Sequence, residues 1–337
     1  MDNLLPSLAE YKPEQDYVLA IVTGTDGSTY RKTGAMILIA QSLNYWGLIS
    51  GGCLEGDIQE NAAKVFQLRA DMPLEYDMRG DDDLLWGMGS GCNGAVNLLL
   101  KFLPAKNNHL GFFEILHAVN NGKNYLMQVN AAQSNELVFK ALANRPGQSG
   151  PGLSDADLTK ACWNEDQTIL SIPLLAPLNL LICGGSPDVP PVTSIARQLG
   201  WKTTVIDHRA EFATHAKFPQ ADQVALVKRG EWVDYTLDQF DAAVIMSHQF
   251  ERDQAYLERL IQSEISYIGL LGPSKRRDRL LAECKTHFSA FEGRIFGPVG
   301  LDIGADTPQT IALAILAEIQ AVRANKQVGF CYQDETR

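Results

Sequence analysis

The sequence predicts an α/β protein with two domains, a small N-terminal α+β domain with an antiparallel sheet and a Rossmann-like domain with a doubly wound parallel sheet. Two patterns indicate this. Short strand-like segments dominate the first half of the chain, whereas apolar runs alternate with helical segments beyond Pro177. The 337 residues, 45% hydrophobic and 20% charged, suffice for two buried cores. We therefore place the domains at residues 1–177 and 178–337.

Short apolar segments, partly β-branched, predict the strands of the first domain. These strands are expected at residues 17–23, 34–40, 45–49, 95–102 and 124–129. An amphipathic helix follows the third strand, with an apolar face formed by Ile58, Ala62, Val65 and Phe66. A second helix is expected at residues 112–119. The rest of 106–170 shows the weakest secondary-structure pattern in the chain. The linker is expected between the loop at 145–152 and the proline-containing segment 173–177, where the second domain begins.

The second domain has a more regular pattern, in which apolar runs alternate with helical segments. Strands are predicted at residues 178–183, 203–206, 223–227, 241–246 and 267–271. Helices are predicted at residues 190–199 and 253–262. A last helix begins with Thr307 as N-cap and Pro308 at the first helical position. This alternation is typical of a parallel sheet covered by helices.

Charge and hydropathy exclude several classes of function. The 29 Lys and Arg residues against 40 Asp and Glu residues give a net charge of -11, which argues against nucleic-acid binding. An uninterrupted apolar run of about 20 residues is missing, so we expect no membrane span. The N-terminus lacks the features of a signal peptide, which predicts a cytoplasmic protein. The six cysteines lack zinc-ribbon or C-x-x-C spacing and are expected to be reduced thiols.

A glycine turn opens the second domain and resembles a dinucleotide-binding fingerprint. Gly184 and Gly185 follow a strand, and the next strand ends in Asp207, about where an acidic residue would bind a ribose. However, prolines in the turn lack the N–H groups that would hold a pyrophosphate. The turn therefore either binds a nucleotide or phosphate-like ligand, with NAD(P) as one possibility, or only connects strand to helix. His248, at the end of a later strand, is a candidate acid, base or positioning group, or a histidine that only bonds a neighbouring loop.

Two cysteines lie in glycine-rich turns of the first domain. Cys53 precedes the amphipathic helix, where free backbone N–H groups and the helix dipole would stabilise a thiolate. Cys92 lies just before a strand. Soft thiolates beside anion-binding amides suit a thiophilic metal carried on an anionic cofactor, or a sulfur to be transferred, and Arg31 could offset the anion's charge. The candidate cofactor-binding residues are Arg31, Gly51, Gly52, Cys53, Glu55, Gly91, Cys92 and Gly94.

Several segments together resemble the xanthine dehydrogenase accessory family, XdhC/CoxI. They are Gly27-Ser28-Thr29 with Gly34-Ala35, Gly51-Gly52-Cys53-Leu54-Glu55-Gly56, Gly91-Cys92-Asn93-Gly94, Leu199-Gly200-Trp201 leading to Asp207-His208-Arg209, Tyr267-Ile268-Gly269-Leu270-Leu271-Gly272 and Pro298-Val299-Gly300-Leu301-Asp302-Ile303-Gly304-Ala305. The resemblance implies an N-terminal cofactor-handling domain and a Rossmann-like C-terminal domain. It also implies a chaperone that binds molybdenum cofactor (molybdopterin), protects it while its terminal sulfur ligand is installed, and delivers it to a molybdenum hydroxylase.

The chain departs from the family pattern at several positions. The family commonly has a G-x-G-H turn where this chain has Gly184-Gly185-Ser186-Pro187, and a proline where Tyr30 stands. Cys92 is followed by Asn93 instead of glycine. The family's Thr-His-Asp pattern becomes Ser247-His248-Gln249, which keeps the histidine and removes a carboxylate that could orient it.

Three hypotheses about function follow. The leading one is a cytoplasmic molybdenum-cofactor chaperone, in which Cys53 and Cys92 contact the molybdenum centre and no turnover is required. Its expected partners are a xanthine dehydrogenase-type molybdenum hydroxylase and a cysteine desulfurase as sulfur donor, and the resemblance makes a homodimer plausible. The alternative is a nucleotide-dependent oxidoreductase that uses NAD(P) and His248. The third is a scaffold that docks a molybdoenzyme with a sulfur donor independently of the two cysteines.

Overall fold

The chain folds into two compact units, Met1–Ala176 and Pro177–Arg337. A computed structural model describes residues 4–79, 94–130, 136–142, 160–228, 236–285, 291 and 293–329. The predicted fold class, an antiparallel α+β region followed by a Rossmann-like parallel sheet, is confirmed. No helix within those ranges has the length and apolar character needed to cross a membrane.

The first unit contains a five-stranded antiparallel sheet covered by one helix. Its elements are β1 (Tyr17–Gly27), β2 (Met36–Ala40), β3 (Tyr45–Gly47), α1 (Glu55–Leu68), β4 (Met72–Asp77) and β5 (Gly94–Leu103). The strand order is β3-β2-β1-β5-β4, so β1 is central. Helix α1 buries the predicted apolar face against this sheet. Strand β4 was not predicted, because it contains Pro73 and only Tyr76 of its residues is buried.

A second, four-stranded antiparallel sheet occupies the region where the sequence pattern is least legible. Its elements are α2 (Phe112–Asn120), β6 (Asn124–Asn130), β7 (Val138–Leu142), β8 (Cys162–Trp163) and β9 (Ile169–Leu174), in the strand order β7-β6-β9-β8. The structure corrects one prediction: Pro173, in the segment expected to begin the second domain, pairs with Leu126 inside β9 of the first unit. A strand tolerates this proline because β8 is short and does not extend alongside it. The predicted loop at 145–152 lies outside the described residues.

The second unit is built on a six-stranded parallel sheet. Its elements are β10 (Asn179–Cys183), α3 (Val189–Gln198), β11 (Lys202–Asp207), β12 (Gln223–Leu226), β13 (Ala242–Ile245), α4 (Phe250–Leu260), β14 (Tyr267–Leu270), α5 (Ser274–Glu283), β15 (Ile295–Phe296) and α6 (Pro308–Arg323). The strand order is β12-β11-β10-β13-β14-β15, and each neighbouring pair is parallel. The order reverses between β10 and β13, which is where sheets of this kind bind ligands.

Helices cover both faces of the parallel sheet, as a doubly wound fold requires. Helices α3 and α6 pack on one face, and α4 and α5 pack on the other. The start of α6 confirms its predicted cap: the Thr307 side chain accepts the Thr310 N–H, and the Thr310 hydroxyl accepts the Thr307 N–H. The second unit therefore presents the carboxyl ends of its strands at one edge, where Gly184, Asp207 and His248 lie.

Candidate functional site

The Cys53 turn joins β3 to α1 and is organised around a buried carboxylate. Glu55, the first residue of α1, is only 3% exposed. Its Oε1 accepts the N–H groups of Ile49 (3.0 Å) and Ser50 (2.8 Å), and its Oε2 accepts the N–H of Gly52 (2.9 Å) and the Ser50 hydroxyl. The Ser50 hydroxyl oxygen also accepts the Leu54 N–H at 2.7 Å. Glu55 and Ser50 therefore hold the turn in one conformation.

These bonds keep Glu55 ionised although it is buried. Burial alone would raise the pKa of Glu55, but the donors from Ser50 and Ile49 outweigh it and hold that pKa below its ordinary value. The result differs from the sequence-based expectation that the amides of this turn are free for an anion. Four of them, from Ile49 to Leu54, are already bonded to side chains of the turn.

The loop between β1 and β2 lies beside the Cys53 turn. A Cβ added to Gly51 would lie 3.4 Å from the Tyr30 ring, so the ring packs directly over the turn backbone. Tyr30 is 60% exposed, which leaves most of its ring surface available to solvent. Arg31 is partly buried and forms no ion pair with any residue that the structure describes. An exposed aromatic ring therefore adjoins a turn that carries a thiol, and Arg31 follows that aromatic residue in the chain.

The same loop contacts the beginning of β5. A Cβ at Gly94 would lie 2.5 Å from the Ser28 carbonyl oxygen and 2.6 Å from that of Asp26, so only glycine allows this approach. Gly94 thus has a packing role at this end of the sheet. Cys92 and Gly91, the other members of the predicted site, lie outside the described residues.

Cys53 is a free, partly buried thiol. The described residues hold no group of three or more His, Cys, Asp and Glu side chains placed to bind a metal ion. Burial raises the pKa of the Cys183 thiol far above its ordinary value and that of Cys284 to about 11, so both are protonated at neutral pH. These two thiols, both in the second unit, are therefore poor nucleophiles and poor metal ligands.

The glycine turn of the second unit is closely packed. Gly184 has a φ of +122°, and a Cβ there would lie 2.5 Å from the backbone of Ser247, which follows β13. The Ser186 hydroxyl donates to the Met246 carbonyl at 3.0 Å. The turn after β10 therefore rests directly on the turn after β13.

Asp207, the predicted ribose ligand, faces this glycine turn. Its Oδ2 accepts the Gly185 N–H at 2.6 Å and the Arg209 Nη2 at 2.8 Å, and its Oδ1 accepts the Arg209 N–H and Nε at 2.7 and 3.0 Å. The side chain is fully buried. Burial alone would raise the pKa of Asp207, but the Arg209 and Gly185 donors outweigh it and keep the pKa below its ordinary value. Asp207 is thus an ionised structural anchor.

His248 has a carboxylate partner that the sequence did not reveal. Its Nε2 lies 2.9 Å from Oδ2 of Asp188, sixty residues earlier in the chain, and its backbone is left-handed with a φ of +60°. The carboxylate that the chain lacks at Gln249 is thus supplied by the glycine turn. The imidazole remains more than half exposed.

The basic run at the start of α5 forms internal contacts. Arg276 donates from Nη2 to Oδ2 of Asp253 at 2.7 Å, and Asp253 also accepts the Ser247 N–H. Arg277 donates to the Gly297 carbonyl. These arginines therefore stabilise the second unit, and sequence alone could not identify partners so distant in the chain.

The chain matches two sequence families along its length. The family described as XdhC and CoxI matches residues 11–77, and the one described as XdhC Rossmann domain matches residues 180–319. A Bacillus subtilis protein, named as a probable xanthine dehydrogenase subunit, is 30% identical over 97% of this chain and 98% of its own length. The Escherichia coli molybdenum cofactor insertion chaperone PaoD is 22% identical over 93% of this chain and 86% of its own.

A solved structure has the same fold. The crystal structure of a Bacillus halodurans protein described as a xanthine dehydrogenase aligns with a TM-score of 0.77 at 30% sequence identity. The alignment covers 98% of both chains. The similarity therefore extends over both units.

Proposed function

Because the chain belongs to the XdhC and CoxI family, we propose that it is a molybdenum-cofactor chaperone for a xanthine dehydrogenase-type molybdenum hydroxylase. The similarity to PaoD, a molybdenum cofactor insertion chaperone, supports a role in handling this cofactor. The cofactor is the cargo of the protein, so the role requires no turnover.

The observation that best supports this proposal is the geometry of the Cys53 turn. Glu55 and Ser50 fix the turn without a ligand, and the thiol of Cys53 stays free and only partly buried. A preformed turn loses little conformational entropy when cargo binds, which favours affinity.

We assign the recognition of the cofactor to residues around this turn. Cys53 and Cys92 would contact or shield the molybdenum centre, because thiolates are soft ligands. Arg31 would neutralise part of the charge of the anionic pterin. The exposed Tyr30 ring would stack on the flat pterin rings. In this assignment Glu55 and Gly94 shape the site without touching the cargo.

The finer parts of the role follow from the same assignment. The chaperone would protect the cofactor while a cysteine desulfurase supplies the terminal sulfur, and would then deliver it to the hydroxylase. We expect the protein to act as a cytoplasmic homodimer.

The decisive experiment is to purify the protein from a host that makes molybdenum cofactor. Pterin is then measured by fluorescence after oxidation, and molybdenum is quantified on the same sample. We expect close to one pterin per chain in the wild type and a loss of at least tenfold in the double variant Cys53→Ala/Cys92→Ala.

A matched control separates the site from a general effect of losing a thiol. Cys162→Ala removes another partly buried cysteine of the same unit and should retain the cofactor. Undiminished retention by the double variant would contradict the site assignment. A docking scaffold would give a different result. The wild type would carry no pterin, and the double variant would bind the hydroxylase as well as the wild type does.

A further inference from the structure

The second unit has the strand order of dinucleotide-binding proteins, which raises the question of whether its residues fit such a ligand. In these folds the pyrophosphate rests on backbone amides of the turn after the first strand, and an acidic residue at the end of the second strand binds the ribose. The corresponding elements here are the Gly184 turn and Asp207.

The amide that would hold a phosphate is already occupied. The Gly185 N–H donates to Asp207 at 2.6 Å, and the carboxylate is fully buried with Arg209 as its counter-ion. A carboxylate that binds a glycine amide and a guanidinium group makes the same contacts as a ligand phosphate would make. Asp207 therefore cannot serve the ribose in this arrangement.

Other residues also leave no place for a dinucleotide. Pro187, Pro190 and Pro191 lack the N–H groups that the start of α3 would otherwise offer. Gly184 lies against the Ser247 backbone, and the Asp188–His248 pair connects the same two turns across the point where the strand order reverses. The ligand and these internal contacts would have to occupy the same space.

We propose that Asp207 is an internal substitute for the phosphate of a ligand, and that the second unit consequently holds no dinucleotide between β10 and β13. Removal of the carboxylate would expose the Gly185 amide and the Arg209 guanidinium together. These two groups form an anion site that the wild-type chain keeps filled.

Two measurements on the full chain test this proposal. Calorimetric titration of the wild type with NAD(H) and NADP(H) should show no saturable binding up to about 1 mM. Thermal unfolding with inorganic pyrophosphate, at constant ionic strength, should leave the Tm of the wild type unchanged. Asp207→Ala should unfold at a lower temperature, and pyrophosphate should raise its Tm saturably by about 3–6 °C.

The control variant is Asp222→Ala. Asp222 also accepts a backbone N–H in this unit, from Thr203 at 2.8 Å, but is exposed. We expect no pyrophosphate effect on it. If Asp207→Ala does not fold, Asp207→Ser also removes the carboxylate, keeps a small polar side chain and should show the same anion-dependent rise.

Either of two results would overturn the proposal. One is saturable binding of a dinucleotide to the wild type with a Kd below about 1 mM. The other is a response to pyrophosphate that is the same in the Asp207 and Asp222 variants. Both results are independent of cofactor retention at the Cys53 turn, so the chaperone assignment is tested separately.

Discussion

Each unit contains a glycine-rich turn between a strand and a helix, and in both a carboxylate of the protein accepts the amides of the turn. Glu55 fills the first turn from the helix that follows it, whereas Asp207 fills the second from a neighbouring strand. The surroundings differ. A Cβ at Gly52 would meet no atom of the described residues within 4 Å, whereas a Cβ at Gly184 would collide with the backbone of Ser247.

A turn can require glycine for different structural reasons. At Gly184, the missing side chain allows the turn after β10 to contact the turn after β13, which leaves no space for a ligand between them. At Gly51 and Gly52 it permits positive φ values in a turn that remains open to solvent beside Tyr30. The open turn is therefore the better candidate for binding, although both turns look alike in the sequence.

The largest expected difference is between alanine substitutions in the two turns. Gly184→Ala should destabilise the protein by more than about 4 kcal/mol, because the new methyl group cannot avoid the Ser247 backbone. Gly52→Ala has room and should cost only the strain of its φ of +112°, about 1–3 kcal/mol. Urea unfolding of both variants measures the difference, and equal losses would show that the turns are packed alike.

The two arginines near these turns should also differ. Arg209→Met leaves the buried Asp207 carboxylate without its counter-ion, which should reduce the free energy of unfolding by about 2–4 kcal/mol. Arg31→Met removes no described ion pair and should change it by less than about 0.5 kcal/mol. We expect only Arg31→Met to reduce cofactor retention. A large stability loss in Arg31→Met would reveal a structural role instead.

The pH dependence of stability separates Glu55 from an ordinary carboxylate. The pKa of folded Glu55 lies below its ordinary value of 4.5, so its contribution is complete above that pH and is lost as the pH falls through the folded-state pKa. Glu55→Gln should therefore lose about 1–2 kcal/mol at pH 7 and progressively less in acid. Glu60→Gln, an exposed position on α1, is the control and should show no such dependence.

The smallest expected effect concerns the Asp188–His248 pair. A double-mutant cycle with Asp188→Asn and His248→Ala should give a coupling energy of about 0.2–1 kcal/mol, because the imidazole is largely exposed. The cycle is measured by thermal unfolding of the wild type, the two single variants and the double variant. A coupling above about 2 kcal/mol would mean that this pair, in addition to Asp207, holds the second turn closed.

Much of the fold could be predicted from the sequence, because the apolar patterns of its longest elements are regular. Helix α1 and the strands β10 to β14 have the expected spacing, and Thr307 caps α6 as predicted. Strands β7, β8 and β9 were missed. Strands β7 and β8 bury one side chain and none, respectively, and β9, although its burial alternates regularly, contains Pro173.

Less of the site could be predicted, because its contacts join distant parts of the chain. Glu55 was identified as a site residue, but its bonds to Ile49 and Ser50 depend on the exact path of the turn. Asp188 is sixty residues from His248, and no local pattern connects them. A serine five residues before the glutamate that begins a helix, as with Ser50 and Glu55, is the signal that could have indicated a turn held by its own side chains.

The pairing of β1 with β5 also has a consequence for synthesis on the ribosome. Tyr17 pairs with Leu103 and Gly27 with Gly94, so residues 28–93 are the chain segment that connects these two paired strands. Cys53 lies within this connecting segment and leaves the ribosome before β5 does. A chain still being translated cannot complete the sheet until residue 103 has emerged. The bonds of the Cys53 turn all lie between Ile49 and Glu55, so they can form before the sheet is complete.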